Sequence, residues 1–144
     1  MVRVDREYVD NVVGEIEEGL EEVETITSSS LEDFMRNRSK RFSMRYSIIL
    51  IVEAATDLGL TILKQCFNEG ARSYREVFLK LAERGVINFN TAEGMSTLAS
   101  LRNMIVHRYW SIDDARIYRK AKGNGVGVVK RFIEEVGKYI SKDP

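Results

Sequence analysis

The sequence predicts an all-α protein, an up-and-down bundle of four or five helices forming one domain over residues 1–144. Three observations carry this. Apolar residues recur at helical spacing over most of the chain, as in Val9, Val12, Val13, Ile16, Leu20 and Val23. No segment of any length alternates with the strand period. The only proline, Pro144, stands at the very end, so no ring interrupts a helix from within. A chain of 144 residues suits one domain with a real core.

Taken in order, Val4 to Ile26 reads as a first helix, with Glu15, Glu17, Glu18, Glu21, Glu22 and Glu24 on its other face. That acidic run is a solvated face or a surface for a basic partner. Thr27-Ser28-Ser29-Ser30 breaks the pattern, and Ser29 with Glu32, or Ser30 with Asp33, caps a short helix through Arg36. A basic cluster follows, and its members Arg38, Lys40, Arg41 and Arg45 are the candidate RNA- or phosphate-binding residues. The plainer alternative is an ordinary charged helix surface.

Phe42 to Phe67 reads as the longest helix, apolar over more than one face, so it needs cover on several sides. A small bundle covers one side. A second copy of the chain is the expected cover for the other, which predicts a homodimer. Asn68-Glu69-Gly70 ends this helix. Ser73 with Glu76 makes a capping box for a helix from Tyr74 to Arg84, stopped by Gly85. Asn90 or Thr91 opens the next helix, which carries Met95, Leu98, Leu101 and Ile105. Ser111 or Asp113 starts a short helix through Tyr118, Gly123 to Gly127 is expected as a loop, and Val128 to Ile140 is the last helix. The glycine loop only superficially matches a phosphate-cradling motif, since no strand precedes it and no Gly-Lys-Ser/Thr follows.

The 22 basic and 22 acidic residues cancel, so any phosphate site is local rather than a whole-protein field. The single cysteine, Cys66, excludes an intramolecular disulfide and fits a reducing compartment. No signal-type apolar run follows Met1, and the most apolar stretch, Tyr46 to Val52, is too short to span a bilayer. The expectation is a cytoplasmic protein with no membrane association. Glu53 and Asp57 share a helix face, but no Glu-x-x-His pair exists, so neither a metal nor another cofactor is expected.

The candidate chemistry sits in Arg102-Asn103-Met104-Ile105-Val106-His107-Arg108-Tyr109-Trp110, which holds the only histidine. Asn103 and His107 are four apart and share a helix face. Arg102 and His107 point about 140° apart on a straight helix. Either the helix ends near His107, or the arginine reaches round, or a second copy completes the site. Histidine, with an ordinary pKa of about 6.5, exchanges protons at neutral pH. Arginine stays charged and forks onto phosphate oxygens, and Asn103 can donate to the same anion. The set of Arg102, Asn103 and His107 suits attack of an RNA 2′-hydroxyl on the adjacent phosphate without a metal. The competing reading is structural: His107 buried on a backbone carbonyl, Arg102 paired with Glu53 or Asp57, and Tyr109 and Trp110 in the core.

Arg102-x4-His107-x-Tyr109 resembles the signature of the HEPN superfamily in its HepT-like toxin branch. The likeness extends through Trp110 and Asp113, and upstream to Ser73-Tyr74-Arg75-Glu76-Val77-Phe78 and Leu81 to Ile87. It departs from the branch at Gly123 to Gly127, usually less glycine-rich. The resemblance implies a helical ribonuclease toxin that acts as a homodimer on an RNA substrate. It also implies an MntA-like nucleotidyltransferase antitoxin that silences the toxin by adding AMP to the motif tyrosine, here Tyr109. The alternative function is a non-catalytic helical dimer that binds a nucleotidyltransferase or a nucleotide. The intact Arg102 and His107 favour the enzyme, since a docking module has no chemical need for both.

Overall fold

A computed structural model describes residues 4–107 and 111–142. Five longer helices and two short ones account for nearly all of them: α1 Arg6–Thr27, α2 Leu31–Arg36, α3 Arg38–Phe67, α4 Tyr74–Glu83, α5 Phe89–His107, α6 Asp114–Lys120 and α7 Val126–Ser141. No strand occurs among the described residues.

Local chemistry sets most boundaries. Asp5 caps α1 by accepting from the Glu7 amide, and Ser30 caps α2 by accepting from Asp33, which selects the second of the two expected pairs. The longest helix begins four residues earlier than the sequence suggests. Asn37 caps it through the Lys40 amide, so the basic cluster lies in its first two turns. Ser73 caps α4 through the Glu76 amide, while the Glu76 carboxylate accepts from the Arg72 amide. At the other end Gly85 takes φ of 77°, and the amides of Gly85 and Val86 bond back to Ala82 and Leu81, a left-handed stop that glycine adopts without steric cost.

Two expectations are corrected. α5 begins at Phe89 rather than at a cap on Asn90 or Thr91. Its first turn is held from outside by Glu135 of α7, which accepts from the Asn88 amide at 2.8 Å and the Thr91 hydroxyl at 2.9 Å. Gly123 to Gly127 is not a loop. Ala121–Gly125 forms one π-helical turn that joins α6 to α7 without a break. Glycine is a poor helix former, yet Ala121, Gly125 and Val129 sit against the core, and that packing overrides propensity.

α3 is the central helix, with α1, α4 and α5 packed around it. It is long and apolar enough to cross a membrane by composition alone, but its Ile48, Ile51, Val52, Ala55, Leu58, Ile62 and Leu63 are buried in the bundle. The apolar excess expected to need a second subunit is therefore mostly absorbed within the chain. Its most exposed large apolar side chains are Phe42, 53% exposed, and Tyr46, 65% exposed, while Ile49, Leu50 and Leu60 are half-buried. α5 and α7 cross closely at Gly94, where a Cβ would stand 2.4 Å from Val128 Cγ2.

Candidate active site at the end of α5

Arg102, Asn103 and His107 all lie in the last turns of α5. Arg102 points inward toward α3 and α4. Its Nε stands 2.8 Å from Glu53 Oε1, an ion pair in which the N–H is not aligned as a hydrogen bond. Its guanidinium carbon lies 4.8 Å above the Tyr74 ring, and Tyr74 donates its hydroxyl to the same Glu53 oxygen at 2.6 Å. One carboxylate thus ties the centre of α3 to the start of α4 and the end of α5.

The electrostatics follow from this crowding. Burial, then the hydrogen bond to Glu53, pushes the Tyr74 phenol above its ordinary value and keeps it protonated. Asp57, one turn along α3, is also raised, first by desolvation and then by the Glu53 charge.

Arg102 also reaches round its own helix. Its Nη1 donates to Asn103 Oδ1 at 3.1 Å. Only the amide oxygen can accept from a guanidinium, so the Asn103 nitrogen is left to donate outward. Asn103 is exposed and shares a groove of about 410 Å³ with His107, Ser100, Met104 and Arg116. His107 is exposed, not buried on a carbonyl as the structural alternative requires. The other half of that alternative is observed, since Arg102 does pair with Glu53. The pairing positions the arginine and does not exclude a ligand. Arg116 enters the groove from α6, whose start is set by Asp113 accepting from the Arg116 amide.

Tyr109 lies outside the described residues, as do Arg108 and Trp110. The basic cluster is a different place, and three of its four members are engaged. Arg45 forks onto the buried Asp114 carboxylate at 2.9 and 2.6 Å. Arg41 contacts Asp114 at 3.8 Å and donates to the Met35 carbonyl. Lys40 donates to the Ser29 hydroxyl at 2.8 Å. Only Arg38 of the four stands exposed. These contacts tie α3 to α2 and α6.

Sequence reading missed Tyr74 and Arg116 as parts of this region and took Glu53 only as a structural partner. Tyr74 follows the capping serine of α4 and Arg116 stands in the first turn of α6. Nothing in their spacing relates them to Arg102, because the relation is across the bundle.

A family model described as ribonuclease HepT-like matches residues 16–136. The tRNA nuclease HepT of Aphanizomenon flos-aquae is 21% identical over 121 residues, covering 84% of this chain and 82% of that protein. Among solved structures, the cytosolic protein YutE of Bacillus subtilis superposes with a TM-score of 0.84 at 18% identity, covering 99% of this chain and 95% of that one. The tri-AMPylated HEPN toxin of Shewanella oneidensis, solved in complex with its MNT antitoxin, gives a TM-score of 0.84 at 17% identity, covering 93% of this chain and 99% of that one. These structural likenesses establish a shared helical fold. The family match spans the central helix, the Glu53–Tyr74–Arg102 cluster and the groove at His107, and on it the chain belongs to the HepT-like ribonuclease family.

Proposed function

We propose that the protein is a metal-independent endoribonuclease, the toxin of a toxin–antitoxin pair, cutting RNA in the groove at the end of α5. The observation that carries this is the chain of contacts from Arg102 to Asn103 and on to the groove shared with His107. An RNA phosphate in that groove meets the Asn103 amide and the Arg116 cation, with Arg102 standing behind Asn103 and holding its amide oxygen. His107 takes the proton of the 2′-hydroxyl as the oxygen attacks phosphorus. The P–O5′ bond then breaks, leaving a 2′,3′-cyclic phosphate, and the 5′-oxygen leaves with a proton. The attacking oxygen belongs to the RNA itself, so the reaction needs no metal-activated water.

One chain offers one histidine, while the reaction benefits from a base and an acid. A homodimer supplies both. Phe42 and Tyr46, both exposed, and the half-buried Ile49 and Glu53 follow one another at helical spacing along α3, so the apolar stripe leads to the Glu53–Arg102 pair. A second copy seated on this stripe brings two motifs to one interface.

Regulation follows the neighbour whose HEPN toxin is AMPylated beside an MNT antitoxin. An MntA-like nucleotidyltransferase partner transfers AMP from ATP to the hydroxyl of Tyr109, two residues beyond His107; the tyrosine oxygen bonds the α-phosphorus, pyrophosphate leaves, and the hydroxyl proton is released. The added phosphodiester takes the place of the RNA phosphate and competes for Arg102.

The test is cleavage of RNA by the purified protein in EDTA. The wild type is expected to cut and to leave 2′,3′-cyclic phosphate ends. His107→Ala should be slower by about 10² to 10⁴, and Arg102→Ala similarly slow with its helical content retained. Activity lost to EDTA alone, or indifferent to His107→Ala, overturns the reading.

A further inference from the structure

The exposed face of α5 does not end at the His107 groove. That groove meets a second one of about 780 Å³ at Ser100, which lines both. The second groove runs toward the start of α5, with α4 on one side and the π-turn and α7 on the other. Its floor is small and polar, including Ser96 and Thr97, whose hydroxyls fold back onto the Ala92 and Glu93 carbonyls. A floor of short side chains lets a ligand approach the helix closely. Its rim carries Arg75 from α4 and Arg131 from α7, while Arg116 stands at the His107 end. All three arginines are exposed and make no ion pair among the described residues. By contrast Arg41, Arg45, Arg84 and Arg102 are each held by a carboxylate. At the far end Phe89 is 58% exposed beside Leu79.

We propose that this face of α5 is a track for single-stranded RNA, running from His107 past Ser100 to Phe89, with phosphates on Arg116, Arg131 and Arg75 and a base stacked on Phe89. The inference rests on the ribonuclease reading for its ligand and extends that site. Three arginines with no ion-pair partner among the described residues, set around a floor of small polar side chains, suit a polyanion. The two linings together carry one acid, Glu93, and three arginines. An exposed ring at the end of a basic groove is the usual platform for an unpaired base. From Phe89 to His107 the helix rises about 27 Å, which holds roughly four nucleotides, the small end of single-strand sites. The π-turn has a part here, because it places Asn124 in the groove wall. A local track also reconciles RNA binding with a net charge of zero.

The test uses the full chain carrying His107→Ala, so that RNA is bound and not cut, and reads fluorescence anisotropy of labelled oligouridines. A strand of about ten nucleotides is expected to bind at least about tenfold tighter than one of about three. Added Arg131→Ala or Arg75→Ala should each weaken the longer strand about five- to tenfold and lower its salt slope by about one phosphate. Phe89→Ala should weaken it at least about fivefold. Lys138→Ala, on α7 away from the groove, should change nothing. Equal affinity for both lengths, or arginine variants within twofold of the parent, overturns the track. Variants that bind RNA normally but lose self-association or nucleotidyltransferase capture overturn it in favour of a protein interface. Because the readout is binding, a wild type whose cleavage does not depend on His107 defeats the ribonuclease mechanism while the track is judged on anisotropy alone.

Discussion

Glu53 and Arg102 stand 2.8 Å apart, joining the middle of α3 to the last turns of α5, and the same Glu53 oxygen accepts the Tyr74 hydroxyl. The pair is partly exposed, with side chains 40% and 18% accessible, so its contribution to stability is at most about 1 kcal/mol. Its value lies in geometry. It fixes the guanidinium whose other arm orients Asn103.

Glu53→Gln keeps an acceptor for Tyr74 and removes the charge that holds Arg102. The expected result is a fall of about tenfold in kcat for RNA cleavage, worth about 1.4 kcal/mol, with KM little changed. Glu53→Ala should fall further, and Glu53→Asp should recover part of the loss. Unchanged kcat in Glu53→Gln removes the positioning role. A rise would mean that Glu53 restrains Arg102 from the phosphate.

The crossing of α5 over α7 depends on Gly94. Gly94→Ala drives a methyl into Val128 and is expected to cost about 1–3 kcal/mol. Val128→Ala made alone should cost about 1–2 kcal/mol through lost packing. The double variant should be more stable than the sum of the two, since each removes the other's clash or void. Urea unfolding of the four proteins gives the coupling, and strict additivity would show that the helices separate rather than clash.

The homodimer is expected to form through the Phe42–Tyr46 stripe, burying roughly 800 Å² per partner. Light scattering should give twice the 16.5 kDa of one chain at micromolar concentration. Tyr46→Glu should give single chains that remain helical and cleave RNA poorly. A wild type of 16.5 kDa would rule out the dimer.

Incubation with a cognate nucleotidyltransferase and ATP is expected to add one or more AMP units to the Tyr109 peptide, with loss of cleavage. Peptide mass spectra should show no addition in Tyr109→Phe, which should escape silencing. A toxin silenced with Tyr109 unmodified would point to inhibition by binding alone.

The sequence by itself determined what is local. Helical periodicity placed α1, α4 and α7 to within a few residues. The caps at Ser30, Ser73 and Asp113 and the stop at Gly85 act within four residues of themselves, so a reader of the chain can find them. The segment from Arg102 to His107 could be proposed as a site from the sequence because its residue types at short spacing resemble the HepT-like signature.

Only the tertiary structure decided the rest. Glu135 caps α5 through Thr91, 44 positions away, and Asp114 engages Arg45, 69 positions away. That second pairing ties Arg45, one of the candidate phosphate-binding residues, to the start of α6. Packing of Ala121 and Gly125 against the core drew the segment into a π-turn that its glycines' propensities oppose. Packing also put Glu53 and Tyr74 against Arg102, and left Arg75, Arg116 and Arg131 with no ion pair among the described residues along α5. The physical reason is common to all of these. A charge finds its partner across the gap between helices, and the rotation and offset of one helix against another are set by side-chain packing that no single stretch of sequence contains.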